Sequence, residues 1–533
     1  MSPALELPAL GSFLGITIYG LLLAAVLYII NAAFYSVPTP KGVPFIREPP
    51  GKTSFSWATR LAYLRDCESL FREAYHQYLK KGEAVILPGF GVRNELILPT
   101  SSLKWAMTQP DSVLSVSEAF ADIDQADYSL GHAKYIKDAW QGLLVKTELN
   151  AVLENIVAAL NDELGVAFDK YFGTDEESWR GIELQKTIKM VVAQAASRFT
   201  VGLPLCRNEK YLQDSFDAID GCVITAGVVG GSPPILRPLI GPLVGLKARL
   251  ANRRVRNHLK PLYYARLETL KYARDDPCHD EPGDHFQMML RYALKERTDE
   301  LYDLENIASR VTVANFGSMH QTSIQVTNML LNILGSDAEY NTIATLRDET
   351  IQILGSDTEW TKAKVSKMTK ADSVARETLR LQSFGGRAGF RKVVVDGVTT
   401  DTGLKLPKGT LFSFLSQQAH VDEDVYEASL KYDPFRFSRM REEATDASRA
   451  GSLSFVSTGP SFLAFSHGKH ACPGRFLIDF ELKMIIAYVL RNYDVKFPEE
   501  YGDQRPPNRW LSEATIPPPG ARVLVKRRRL SKP

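Results

Sequence analysis

The 533-residue chain has few cysteines and spends them singly. Cys67, Cys206, Cys222, Cys278 and Cys472 are odd in number, far apart and never spaced as CxxC. That excludes a disulfide framework and a cysteine-built zinc site, and fits free thiols in a reducing compartment. Net charge is only +2, with 64 basic residues against 62 acidic ones, so nothing electrostatic supports a nucleic-acid partner. No repeat or low-complexity block interrupts residues 53–533. Regular strand–helix alternation, the mark of a doubly wound parallel sheet, is missing too, and no flavin or dinucleotide fingerprint occurs.

One stretch lacks charge altogether. Residues 9–34, ALGSFLGITIYGLLLAAVLYIINAAF, contain no Asp, Glu, Lys or Arg. About 20 apolar residues suffice to span a bilayer core. A cleaved signal would carry a basic residue in front and a shorter core; here Glu6 is the only preceding charge. Lys41, Arg47 and Lys52 follow, so the positive-inside rule places the rest of the chain in the cytosol. The expected layout is a transmembrane anchor over 1–36, a proline-rich hinge over 37–52 (VPTPKGVPFIREPPGK) acting as a stiff spacer, and a globular body over 53–533.

Hydrophobic content of 44% gives that body a sizeable core. Helical patterns dominate, for instance over 143–168, 303–334 and 370–382, while strand-like pieces cluster at 84–99 and 391–415. The fold class is mainly α with small β-sheets to one side. The apolar stretch 226–245, AGVVGGSPPILRPLIGPLVG, broken by Gly and Pro, reads either as a buried loop or as a rim dipping into a membrane.

The informative cysteine is the last. FSHGKHACPGRF, residues 465–476, fences Cys472 with glycines and a proline and rings it with Lys469, His470 and Arg475. From Gly474 onward an amphipathic helix is expected, so the sulfur sits just before a helix N-terminus, where the dipole favours an anion. Gly468 and Gly474 permit tight turns and close approach by a flat, bulky partner. The surroundings suit a thiolate facing something large.

The pattern Phe-x-x-Gly-x-(Arg/His)-x-Cys-x-Gly, filled by Phe465, Gly468, His470, Cys472 and Gly474, resembles the haem-binding signature of cytochrome P450, in wording closest to membrane-bound fungal members of secondary metabolism. Two further motifs support it. ETLR supplies Glu377 and Arg380, one helical turn apart; YDPFRF supplies Arg436, which in the family completes a buried structural triad with that pair. The resemblance implies haem b, with Cys472 as the axial ligand of its iron and Phe465 packed against the sulfur. Its propionates are expected on His470, Lys146 and Arg391, with Arg387 nearly as well placed as Arg391.

The helix expected above the haem departs from the family. Where members carry an acid–threonine pair, this chain has Gly317, Ser318, Met319, His320, Gln321 and Thr322. Gln321 in the threonine's place leaves three readings: Gln321 positions a water, Thr322 or Ser323 substitutes, or proton delivery is impaired and the enzyme catalyses a rearrangement, dehydration or isomerisation. Gly317, His320, Gln321 and Thr322 are the expected oxygen-pocket residues, and 112–120, 382–386 and the region near 226 the expected substrate contacts.

The resemblance implies a monooxygenase at the endoplasmic reticulum membrane, single-pass, acting on a hydrophobic terpenoid, polyketide or alkaloid. Electrons would come from NADPH-cytochrome P450 reductase, with cytochrome b5 as an optional second donor. A haem-based ligand binder without turnover has the same sequence features.

Overall fold

A computed structural model describes residues 15, 17–23, 25–26, 37–90, 93–275, 281–355 and 360–529. The apolar run read as an anchor lies mostly outside them, as does Cys278. Residues 15, 17–23 and 25–26 are helical, and no helix among the described residues is long and apolar enough to cross a membrane.

The body is helical with small sheets. Trp140–Phe172, Leu184–Thr200, Glu209–Gly231, Leu246–Asp275, Gln321–Tyr340, Thr369–Leu381 and Arg475–Asn492 are its long helices. Their apolar faces form one core, in which Phe168, Val191, Leu259, Met329 and Ile485 are buried. A second core lies under a five-stranded sheet. There Val85–Pro88 pairs antiparallel with Asn94–Ile97, which runs parallel to Leu411–Phe414; Ala388–Val393 and Leu114–Ser115 complete the order. A three-stranded sheet joins Arg180–Glu183, Arg522–Arg527 and Tyr493–Lys496.

The helix that matters most is assembled from three pieces. Leu304–Asn315 starts at Asp303, whose carboxylate accepts the Asn306 N–H at 3.1 Å as an N-cap. A π-helical turn, Phe316–His320, follows, and Gln321–Tyr340 continues to Asn341, which closes it in the left-handed conformation at φ +49°. Such π turns recur at functional positions.

Two expectations need correction. The hinge over 37–52 is docked on the body: Phe45 bridges to Ile86, the Ile46 N–H donates to Ile86 at 3.1 Å, Thr410 donates to the Pro38 carbonyl, and Ile46 is fully buried. An apolar Ile in a proline-rich stretch found a sheet edge to cover. The stretch 226–245 is helical rather than loop. It comprises the end of Glu209–Gly231, the short turn Pro234–Leu236 and the helix Arg237–Val244. Two of its glycines serve close packing: a Cβ at Gly241 would fall 2.2 Å from the Tyr128 ring and one at Gly245 2.5 Å from the Tyr128 carbonyl. Its outward side remains apolar, with Leu239 and Leu243 69% and 75% exposed.

Candidate functional site

The cysteine loop is held by its own backbone. The Cys472 N–H donates to the Phe465 carbonyl at 2.9 Å, and Gly468, at φ +71°, turns the chain between them. A Cβ at Gly468 would lie 3.2 Å from Met107 Cβ, and glycine allows that approach. Phe465 is locked edge-on against Phe455 at 5.2 Å. Arg475 donates to the carbonyls of Cys472 (2.6 Å) and Val456 (3.0 Å), tying loop to helix. The helix Arg475–Asn492 is buried nearly all round instead of amphipathic, because both core and cysteine loop pack on it.

Cys472 combines accessibility with depth. Its side chain is accessible, yet burial raises its thiol above the ordinary range. Both hold when the sulfur faces a hollow inside the protein. The backbone amides of Gly474 and Arg475 and the Arg475 guanidinium oppose the rise. Burial prevails, so the helix dipole and nearby cations do not by themselves yield the thiolate the sequence suggested; a metal ligated by the sulfur would displace the proton.

The distal expectations sort by face. In the rod 304–340, Gly317 and Gln321, four residues apart, are the exposed positions around the π turn, while Phe316, Ser318 and His320 are partly buried and Met319 is buried. No atom lies within 4 Å of a Cβ built on Gly317. His320, partly buried, stands edge-on to Phe384 at 5.6 Å; burial and Lys189 lower its pKa. Thr322, 3% exposed, and Ser323, fully buried, lie off that face, and Ser323 donates to the His320 carbonyl at 2.8 Å. Gln321, then, carries the polar side chain on the open face, and Thr322 is not brought to it.

The cationic expectations also separate. Arg387 is buried between Glu95 and Glu513 and ion-paired to both. Arg391, 2% exposed, donates only to the Phe390 carbonyl (2.8 Å) and Met107 Sδ (3.0 Å), with no carboxylate at ion-pair distance among the described residues. Burial pushes it down to about 10, opposed by Asp111. A buried guanidinium this poorly met is costly in itself and suits an incoming carboxylate. His470 Nε2 is held by Asp111 at 2.7 Å. Lys146 is exposed and donates to the Lys469 carbonyl at 3.3 Å, beside a notch of about 190 Å³ lined by Leu149, Gly468, Lys469, Pro473 and Arg475.

These features fit haem. An interior thiol, an open face across a π turn, glycines where side chains would intrude and an unmatched arginine suit a flat, dianionic iron porphyrin. Cys472 would hold the iron, Arg391 a propionate, and Phe465 would shield the sulfur. Away from the site, Glu377 meets Arg380 at 2.7 and 2.8 Å and Arg436 at 3.2 Å. Arg380 also donates to the carbonyls of His420 and Ser429, so every charge in this buried cluster is met.

Residues 143–525 match the family model "Cytochrome P450". The chain belongs to the cytochrome P450 family. It is 50% identical over 506 residues to cytochrome P450 monooxygenase pbrC of Penicillium brasilianum, covering 94% of each chain. It is 48% identical to cytochrome P450 monooxygenase astC of Aspergillus terreus, again over 94% of each, and 46% identical to tenB of Beauveria bassiana, over 92% and 93%. The solved structure titled "Retinoic acid bound cyanobacterial CYP120A1" shares the fold, with a TM-score of 0.63 at 18% identity, covering 92% of this chain and 99% of that one. The reading as a P450 monooxygenase agrees with the names of these relatives. Members of the family bind haem through a cysteine thiolate, and Cys472 occupies that place.

One residue escaped the sequence reading. Asp124, just past the helix Val116–Ile123, is only partly covered yet burial pushes its carboxyl up to about 7, with Arg93 opposing. An acid followed by Gln125 at φ +48° resembles any turn residue; no local signal marks it.

Proposed function

We propose that the chain is a haem-thiolate monooxygenase that inserts one oxygen atom of O2 into an apolar small molecule, with electrons delivered by a separate reductase. The observation that carries this is Cys472, accessible from inside the protein and aimed at by two backbone amides, together with the open Gly317–Gln321 face. Haem bound there supplies dioxygen activation, the thiolate pushing electron density that favours O–O cleavage.

The chain's own residues do the rest. Gly317 leaves room beside the π turn. Gln321, able to donate and accept, positions a water that itself passes a proton on, and His320, whose pKa burial lowers, stands next to it. Arg391 neutralises a propionate. Lys146, Lys469 and Arg475 around the cysteine loop form the cationic face on which an acidic reductase docks. The substrate is a hydrophobic secondary metabolite of terpenoid, polyketide or alkaloid class. Residues 1–36 anchor the body to the endoplasmic reticulum, with the exposed apolar side of Arg237–Val244 resting on the bilayer.

The carbon monoxide difference spectrum of the reduced holoenzyme tests the ligand, and NADPH and O2 consumption matched to product tests turnover. Wild type gives the thiolate-type Soret shift and Cys472→Ala loses it. A wild type without that shift ends the reading. A shift without coupled product marks a ligand binder instead.

A further inference from the structure

His320 is the last residue of the π turn and stands, partly buried, between the accessible Gly317 and Gln321. Among the described residues neither of its ring nitrogens has a hydrogen-bond partner, yet neither is sealed in protein. The charged groups nearest it, Lys189 and Asp220, face each other at 4.0 Å and leave the ring unbonded. Phe384 holds the imidazole from one side, edge-on at 5.6 Å with 86° between the planes. That phenyl is fixed in turn by its backbone. The Phe384 carbonyl accepts the Thr515 N–H at 2.8 Å, Gly385 bridges to Ala514, and the Gly386 N–H donates to Glu513 at 2.9 Å. Phe384 is only partly buried, so a polar ring and an apolar one stand side by side at the rim of the open face.

A polar group without a partner at such depth is costly, and native chains seldom keep one without use. Burial and Lys189 lower the pKa of His320, so the neutral ring, with one donor and one acceptor, is the form present at neutral pH. A hydrocarbon would leave both nitrogens unmet. An ammonium would add to the positive field of Lys189, and a carboxylate would find a single neutral donor. A hydroxyl matches, because it both donates and accepts. We propose that His320 is a substrate-orienting residue, hydrogen-bonding a hydroxyl on an otherwise apolar substrate while Phe384 supports the apolar part beside it. Resting on the monooxygenase reading, this narrows the substrate to an alcohol, phenol or enol.

The test compares 4-phenylimidazole, whose imidazole ligates haem iron, with its three hydroxyphenyl isomers, titrated against the Soret band of the full-length holoenzyme. One neutral hydrogen bond is worth about fivefold in Kd. At least one isomer is expected to bind wild type about fivefold more tightly than 4-phenylimidazole. His320→Phe, which keeps a ring against Phe384, erases that gain and holds 4-phenylimidazole to within about twofold. His320→Gln, still able to donate and accept, keeps most of the gain. The proposal is overturned if no isomer gains on wild type, or if the gain survives His320→Phe; the first outcome is decided without any variant having to fold. A wild type whose Soret band 4-phenylimidazole leaves unmoved overturns the haem-thiolate reading, and this proposal with it.

Discussion

Arg391 donates to the sulfur of Met107 at 3.0 Å, an acceptor far too weak for a guanidinium that is 2% exposed. Four residues earlier Arg387 is ion-paired through its two Nη atoms with Glu95 and Glu513. The two arginines therefore answer substitution differently. Arg391→Leu is expected to fold with unchanged Tm as apoprotein and to lose haem at least tenfold faster on dilution, read by Soret decay against apomyoglobin. Arg387→Leu leaves the buried Glu95 with only Arg93 at 3.5 Å and takes a partner from the partly exposed Glu513, a loss of about 3–5 kcal/mol, and is expected with a strongly lowered Tm.

Breaking the Glu377–Arg380 pair carries the same penalty. Both side chains are fully buried and paired at 2.7 Å. Arg380→Leu should cost about 3–5 kcal/mol of unfolding free energy, read from denaturant titration. Arg436→Ala, at an 11% exposed side chain with its other bonds going to backbone carbonyls, should cost less. Equal losses would contradict the burial difference.

The distal helix offers a sharper contrast. Gln321 stands on the open face and Thr322 does not. Gln321→Leu is expected to lower product formed per NADPH at least tenfold, with peroxide released instead; positioned proton donors contribute about 10²–10⁴ in rate. Thr322→Val should leave that ratio unchanged. Gln321→Thr keeps a hydroxyl in reach and stays active. If Thr322→Val uncouples the enzyme and Gln321→Leu does not, the assignment is reversed.

Glu481 gives a stability prediction in pH. It is 2% exposed, and burial alone pushes it up to about 8. Its unfolded value lies near 4.3, so folding takes up a proton between those limits. The contribution is complete below about 4 and is lost as pH rises through about 8, at about 1.4 kcal/mol per pH unit within that interval. Glu481→Gln removes this slope. Tm measured from pH 5 to 9 should therefore fall less for the variant than for wild type; parallel curves would refute it.

The linear motifs were readable because their chemistry is local. Cys472 with its glycines, and Glu377 with Arg380, declare themselves within a dozen residues, and the rod 304–340 within its own periodicity. What escaped depends on distant partners. Choosing Arg391 over Arg387 needs Glu95 and Glu513, each more than a hundred residues away. Residues 226–245 read as broken by glycine and proline, yet form helices that press on neighbours. Gly221, earlier in the same helix, shows how close such contacts run: a Cβ there would lie 2.8 Å from the Ala248 Cα.

The docking of residues 38–46 on the sheet edge has a mechanical outcome. With Thr410 clasping Pro38 and Ile86 gripping Ile46, the leash has no slack beyond that point. The chain therefore enters the body at one fixed point, beside the sheet edge at Pro38, and residues 38–46 add no reach between the body and whatever precedes them.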